Sequence, residues 1–281
     1  MKSFKILMIM DMEVILATTR FMRNKKLIKQ SLLNEVTIIG AGGVGSALIA
    51  NCAIMGFSHI HVWDFDILEE HNLSTTMYPE EYLGFKKVDA AEKQALFYNK
   101  NTKVHKHAEP WETGKYLSPL TMMAPDNMEV RMSVYTDWYL NKRGFLIDMR
   151  MGALTMEIVT ASPEHDNFNN TWKPSADIAD EECTAKHTIF TAAVISGFGL
   201  NQAFNCLHGM QYYQYIWGSL SPLSFRKEGL ILNQKGVTDD RSQQSGRQMV
   251  AGTSQRSNVV FHRPAENREN NSIIDLEYER L

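Results

Sequence analysis

The chain has 281 residues, 44% of them hydrophobic, and a formal net charge of −3 at pH 7. That content can bury a full core in one large domain, or in one domain plus an appendage. It excludes a protein-wide basic field for nucleic acid, and no apolar stretch is long enough to span a bilayer.

Lys2 and Lys5 precede an apolar run from Ile6 to Ala17, which Asp11 and Glu13 interrupt. The run reads as a buried strand or helix, or as sequence ahead of a start at Met22, rather than as a secretion signal. Val36-Thr37-Ile38-Ile39 is short, apolar and mostly β-branched, the pattern of a buried parallel strand. Gly40-Ala41-Gly42-Gly43-Val44-Gly45 follows and satisfies G-x-G-x-x-G. Ala47, Leu48, Ile49, Cys52 and Met55 then recur at helical spacing, and Gly56 is placed to end that helix. A second strand, Ile60 to Trp63, delivers Asp64. The whole is a strand–glycine loop–helix–strand–acid unit of about thirty residues.

Farther along, Glu69 to Tyr82 reads as a loop with short helical pieces, and Phe85 to Tyr98 as a helix ending at Asn99 and Asn101. Val104 centres a short strand. Leu120 to Ala124 is a strand that stops at Pro125-Asp126-Asn127, and Met128 to Lys142 is a helix. Phe145 to Asp148 and Leu154 to Thr160 are further strands. Ser162 to Cys183 is polar and rich in Pro, Asn and Asp, with Trp172 as its large anchor; a loop of that length is functional or disordered. Thr184 to Leu207 is a long apolar helix. From Gln234 onward the sequence is rich in Gln, Ser, Asn and Arg, the composition of a disordered tail. The alternation predicts an α/β, Rossmann-like, mostly parallel sheet with helices on both faces, spanning residues 1–233, and a tail at 234–281.

In the glycine loop, the first glycine permits a tight turn, the second lets backbone approach a pyrophosphate, and the third lets helix and strand pack closely. The helix N-terminus offers N–H groups and a positive dipole end to phosphate. Asp64 can accept hydrogen bonds from ribose hydroxyls. This loop alone fits NAD, FAD, S-adenosylmethionine or ATP equally well.

Other residues narrow the choice. Arg20-Phe21-Met22-Arg23-Asn24 lies before the first strand, Asp64-Phe65-Asp66 is followed by Asn72-Leu73, Gly84-Phe85-Lys86-Lys87 opens a helix, and Asp126-Asn127 stands four residues before Arg131. In this order they resemble the ThiF/MoeB/HesA family, the adenylating core of ubiquitin-activating-type enzymes. The resemblance runs from about Arg20 to Gly209. It implies ATP as substrate, held by Gly40, Gly42, Gly43, Gly45, Asp64, Asp66, Asn72 and Lys87, with Mg²⁺ on Asp126. Arg23 would reach the γ-phosphate from a partner subunit, which implies a homodimer with an N-terminal arm at 1–34. The acceptor would be a ubiquitin-like or sulfur-carrier protein ending in glycine, or a small carboxylate, approached by a crossover loop at 162–183. Neither a membrane nor nucleic acid is implied as partner.

Bland alternatives stand beside these roles. Lys87 and Arg23 fit solvated basic faces, Asp126 fits a helix cap, and Arg131 fits a brace for the Asp126 loop. An NAD(P)-dependent oxidoreductase and a nucleotide-binding scaffold without turnover are the competing functions. Two departures matter. Thr75 occupies the family's arginine position, a loss of about 1.5–3 kcal/mol for one charge-assisted hydrogen bond, which Lys86 would have to offset. The family's four zinc cysteines are missing, so no structural zinc is expected. Cys52 and Cys206 read as core. Cys183, in Glu182-Cys183-Thr184, matches the Cys-Thr pair of thioester-forming members, and His187 follows it at helical spacing. An odd number of cysteines without a secretion signal points to reduced thiols in a cytoplasm.

Overall fold

A computed structural model describes residues 19–141, 144–177 and 187–232. The expected tail at 234–281 and the apolar run from Ile6 to Ala17 lie outside those residues. Eight strands form a single sheet: β1 (Glu35–Ile39), β2 (His59–Trp63), β3 (Lys103–His107), β4 (Leu120–Met123), β5 (Phe145–Met151), β6 (Thr155–Ala161), β7 (Tyr212–Leu220) and β8 (Leu223–Ile231). Their order across the sheet is β3-β2-β1-β4-β5-β6-β7-β8. The first five run parallel, and β6, β7 and β8 join antiparallel. The reversal at β6 is forced by chain length. Only Gly152, Ala153 and Leu154 separate β5 from β6, far too few for a parallel crossover.

Four long helices complete the fold: α1 (Gly43–Met55), α2 (Lys87–Tyr98), α3 (Met128–Asn141) and α4 (Ile189–Leu207). The sheet carries a core on each face. Val36, Ile38, Ile60, Val62, Met122, Ile147 and Ile158 pack with α1, α2 and α4. On the other face, Ile39, Trp63, Met123, Leu146 and Val159 meet Val134, Tyr135 and Trp138 of α3. Alternating side chains in a strand point to opposite faces, so an apolar strand with both faces covered must be buried throughout, as β4 is. Helix α1 is buried nearly all round, as an apolar helix wedged between sheet and helices should be. It ends where Gly56 turns left-handed (φ +108°) and donates its N–H to the Cys52 carbonyl.

The structure departs from the sequence reading in three places. The hairpin β7–β8 extends the sheet where no strands are predicted. The polar stretch from Ser162 is anchored by Phe168, which is fully buried and stacks on Tyr135, more than by Trp172. The last helix starts at Ile189, with Thr188 accepting the Thr191 N–H as its cap, so His187 precedes the helix instead of riding on it. Among the described residues no helix is long and apolar enough to cross a membrane.

Beyond the reach of α3, the sheet face over β1–β3 is polar. His59 and His61 of β2 point the same way as His105 and His107 of β3, because the register pairs His61 with His105. Nδ1 of His59 lies 2.9 Å from Nε2 of His105, and Nδ1 of His61 lies 3.3 Å from Nε2 of His107. Glu35 joins His61 at 2.8 Å and accepts the Tyr116 hydroxyl at 2.6 Å. The stack continues from His107 onto Trp63, with ring centroids 4.0 Å apart, and so reaches the residue next to Asp64.

Candidate active site

The glycines of the loop have distinct structural duties. Gly40 has φ +89°, and a Cβ there would fall 2.8 Å from the Ala124 carbonyl oxygen and 3.0 Å from Pro125 N. The loop therefore lies directly against the chain leaving β4. A Cβ on Gly45 would fall 1.9 Å from the Gly40 carbonyl oxygen, and one on Gly43 2.8 Å from the Thr75 carbonyl oxygen. These glycines let helix, loop and neighbouring turn close up. Around Gly42 no atom lies within 4 Å of a built Cβ, and Gly42 caps α1 without any side-chain hydrogen bond. The N-terminus of a thirteen-residue helix thus opens onto free space, an arrangement suited to an anion.

The loop is pinned from both sides at Ala41. Its N–H donates to Asp64 Oδ2 at 2.7 Å, and its carbonyl accepts the buried Tyr78 hydroxyl at 3.0 Å. Asp64 also accepts the Asp66 N–H at 2.9 Å. Burial raises the Asp64 carboxyl above its ordinary range, and these two N–H groups and the nearby Lys87 ammonium oppose that rise. Asp66 continues the chain of contacts. Its carboxylate lies 2.7 Å from Lys87 Nζ, with the lysine side chain 10% exposed and the aspartate 47% exposed. Lys87 opens α2, so the first turns of α1 and α2 are joined through residues 64–66.

The turn at 69–78 forms another wall. Asn72 Oδ1 accepts the Glu69 N–H at 3.0 Å in a local capping box, which leaves the amide NH₂ as the group to offer a ligand. Thr75 directs its carbonyl toward Gly43 and its hydroxyl to the Asn72 carbonyl at 3.2 Å. No cation stands at this position. Lys86 lines a separate groove with Phe85, Asp89, Lys93 and Lys106 that shares no residue with the glycine loop.

Asp126 is exposed in the turn two residues beyond Ala124. The helix-capping alternative goes to its neighbour: Asn127 Oδ1 accepts the Val130 N–H at 2.9 Å. Arg131 reaches back from α3 to the Pro125 carbonyl and pairs with Asp148 of β5. It braces the turn. Asp148 is fully buried and also accepts Arg150 Nε at 2.7 Å. Sequence reading marked neither Asp148 nor Arg150; the available signal was acid and base in an otherwise apolar strand.

One site residue predicted from sequence, Arg23, is not brought here by its own chain. Arg23 is exposed in the arm before β1. There Phe21 and Gln30 pack on Gly56, at the far end of α1 from Gly43, about 18 Å along the helix axis. Cys183 lies outside the described residues. Cys52 and Cys206 are buried in the core, and burial pushes the Cys52 thiol up to about 12. Among the described residues no group of three or more His, Cys, Asp or Glu side chains is placed to hold a metal ion. A Mg²⁺ here would rest on one carboxylate together with phosphate oxygens, the usual habit of this ion with nucleotides.

The model of the ThiF family matches residues 19–218. The SUMO-activating enzyme subunit 2 of Dictyostelium discoideum is 26% identical over 107 residues, 36% of this chain and 16% of that protein. The adenylyltransferase and sulfurtransferase MOCS3 of Arabidopsis thaliana is 30% identical over 91 residues, 32% of this chain and 20% of that protein. The chain therefore matches only a fraction of the length of either relative. Among solved structures, E. coli MccB superposes with a TM-score of 0.64 at 15% identity, covering 75% of this chain and 69% of MccB. The complex of MccB with ATP gives 0.57 at 14% identity, covering 72% and 65%. At these identities the likeness is one of fold.

Proposed function

Because this chain belongs to the ThiF family, we propose that it binds MgATP over the glycine loop and adenylates a carboxylate. The carboxylate oxygen attacks the α-phosphorus, the α–β P–O bond breaks, and pyrophosphate leaves with the bonding pair. The products are an acyl-adenylate and pyrophosphate. Like charges repel along this path, so catalysis consists of positioning and of cations near the phosphates.

Gly42 and the N-terminus of α1 receive the phosphates, and Asp64 accepts the ribose hydroxyls. Lys87, already held by Asp66, contacts the phosphates, and the Asn72 amide donates to the triphosphate, while the charge lost at Thr75 goes without replacement by Lys86, which lines a separate groove. Asp126 would hold Mg²⁺, which would supply charge neutralisation for the leaving pyrophosphate. What supports the reading is that Lys87 is tied through Asp66 and Asp64 to Ala41 of the glycine loop, and that the chain at Ala124 and Pro125, just ahead of Asp126, lies against Gly40.

The acceptor in this reading is the C-terminal carboxylate of a ubiquitin-like or sulfur-carrier protein, or of a peptide, with Cys183 as the thiol that takes the acyl group. Arg23 sits far from the loop of its own chain and serves the site of a second copy. The deciding assay is MgATP-dependent pyrophosphate exchange, with and without a small protein ending in Gly-Gly. Failure of exchange with every acceptor, together with no ATP binding, overturns the reading. ATP binding without exchange would instead support a scaffold that has lost turnover, which the hydroxyl of Thr75 in place of a guanidinium favours. Cys183→Ala should spare exchange and abolish a thiol-sensitive adduct with the acceptor.

A further inference from the structure

The turn that carries Asp126 joins β4 directly to α3. A line of charge braces it. The Pro125 carbonyl accepts from Arg131 Nη2, and Arg131 Nη1 pairs with one oxygen of Asp148. The other oxygen of Asp148 accepts Arg150 Nε at 2.7 Å, and Arg150 Nη1 donates to the Thr171 carbonyl at 2.7 Å. Asp148 has no exposed side-chain surface, and Arg131 and Arg150 are 6% and 11% exposed, so these bonds act with little screening.

A second set of contacts runs parallel to the first. Trp172 Nε1 donates to the Met128 carbonyl at 2.9 Å, and the Met128 N–H donates to Ser175 Oγ at 3.2 Å. Ser175 gives its N–H and its hydroxyl to the two oxygens of Glu129, at 2.9 and 2.6 Å. Residues 171–175 are thus tied to both flanks of Asp126.

We propose that Arg150 is a positioning residue for Asp126: by holding Asp148 and Thr171 together, it sets the turn to which Mg²⁺ binds and makes that turn respond to the placement of residues 171–175. The inference rests on the adenylation reading for the role of Asp126, but not for the linkage itself. The Arg150 guanidinium is flanked by Asp148, Thr171, the Glu157 carboxylate 3.6 Å from Nη1, and the Phe168 ring, whose centroid lies 5.4 Å from Cζ.

Two measurements test it on the full chain. In Arg150→Lys, the ammonium keeps its charge but cannot serve Asp148 and Thr171 at once. The Mg²⁺ concentration giving half-maximal pyrophosphate exchange should rise about tenfold, as when a group supporting a metal ligand is altered. At saturating Mg²⁺ the rate should return to within about twofold of the parent. Ser175→Ala, at an exposed position that does not threaten folding, should shift the Mg²⁺ requirement in the same direction by less.

Independently of activity, amide hydrogen exchange at residues 126–131 should quicken about tenfold in Arg150→Lys, with the amides of β4 unchanged. Loss of rate at all Mg²⁺ levels in proportion to lost melting temperature would mean a purely structural role and would overturn the proposal. So would unchanged protection at 126–131. If the parent shows no exchange of pyrophosphate, the adenylation reading fails while the amide measurement still decides the linkage.

Discussion

Lys87 grips Asp66 twice: its ammonium lies 2.7 Å from the carboxylate, and its N–H donates to the Asp66 carbonyl at 2.8 Å. The pair holds a buried cation at the start of α2, and it ties Asp66, just past the end of β2, to that helix.

Replacing Lys87 with Met should keep the aliphatic stem and remove the charge. On the adenylation reading, kcat/KM for pyrophosphate exchange falls about 10²–10³-fold, the scale of losing one preorganised electrostatic contact in a transition state. Asp66→Asn, which leaves the ammonium in place, should cost clearly less. A Lys87→Met enzyme within twofold of the parent would remove Lys87 from the machinery.

The glycines separate ligand from packing. Gly42→Ala adds a methyl in open space at a negative φ, so its melting temperature should stay near that of the parent while ATP affinity falls. Gly45→Ala drives a methyl into the Gly40 carbonyl, so α1 must move off β1 at a cost of about 1–3 kcal/mol. Calorimetric melts of both variants, with and without ATP, check the contrast. Equal destabilisation by the two would contradict it.

Asp126 and Asn127 are neighbours with different tasks. Asn127→Ala removes the α3 cap and should cost about 1 kcal/mol of stability. Asp126→Asn should leave the melting temperature nearly unchanged, because the side chain is exposed, and abolish Mg²⁺ stimulation of exchange. Denaturant titrations and Mg²⁺ titrations on the same preparations read both effects. Mg²⁺ stimulation surviving in Asp126→Asn would place the ion elsewhere.

The imidazole stack on β2 and β3 should make the fold sensitive to mild acid. Burial first, and the adjacent histidines next, hold His105 and His107 below the ordinary value of 6.5. Glu35 and Glu109 pull the other way, and Lys103 and Lys115 add to the depression. The folded chain resists protons that the unfolded chain accepts, so stability present at neutral pH is lost as pH falls through 6.5 and then through the lower folded values. Melting temperature should therefore drop between about pH 7 and pH 5, in the range where imidazoles titrate. The double variant His105→Phe, His107→Phe should flatten that slope, and an unaltered slope would exclude these histidines as its source. Glu35 is opposite in kind to a group that protonates early. Burial raises its pKa, but the Tyr116 hydroxyl and His61 outweigh this and hold it below 4.5, so its contribution persists through the same window.

Local patterns carried most of the fold. The β1–α1–β2 unit and the Gly56 stop were legible because each rests on spacing within one segment. The reversal at β6 was legible in principle, since the gap after β5 is shorter than any crossover. The β7–β8 hairpin was not: β8 is exposed along nearly its whole length, so burial never imprinted a repeating apolar pattern on it. At the site, the glycine loop and its acid could be read from adjacent residues. Tyr78, Asp148 and Arg150 could not, because their partners at Ala41, Arg131 and Thr171 are set by tertiary register. Phe168 was hidden by the polar residues around it.

The contact of Gly40 with Ala124 has a kinetic corollary. Those residues are distant along the chain and meet only when β4 docks beside β1. A ligand that touches both the glycine loop and the chain leaving β4 would clasp two halves of the sheet that separate as the molecule denatures. ATP should then raise the melting point of the whole body in one cooperative step, and during refolding the capacity to bind it should emerge only after the parallel strands have assembled.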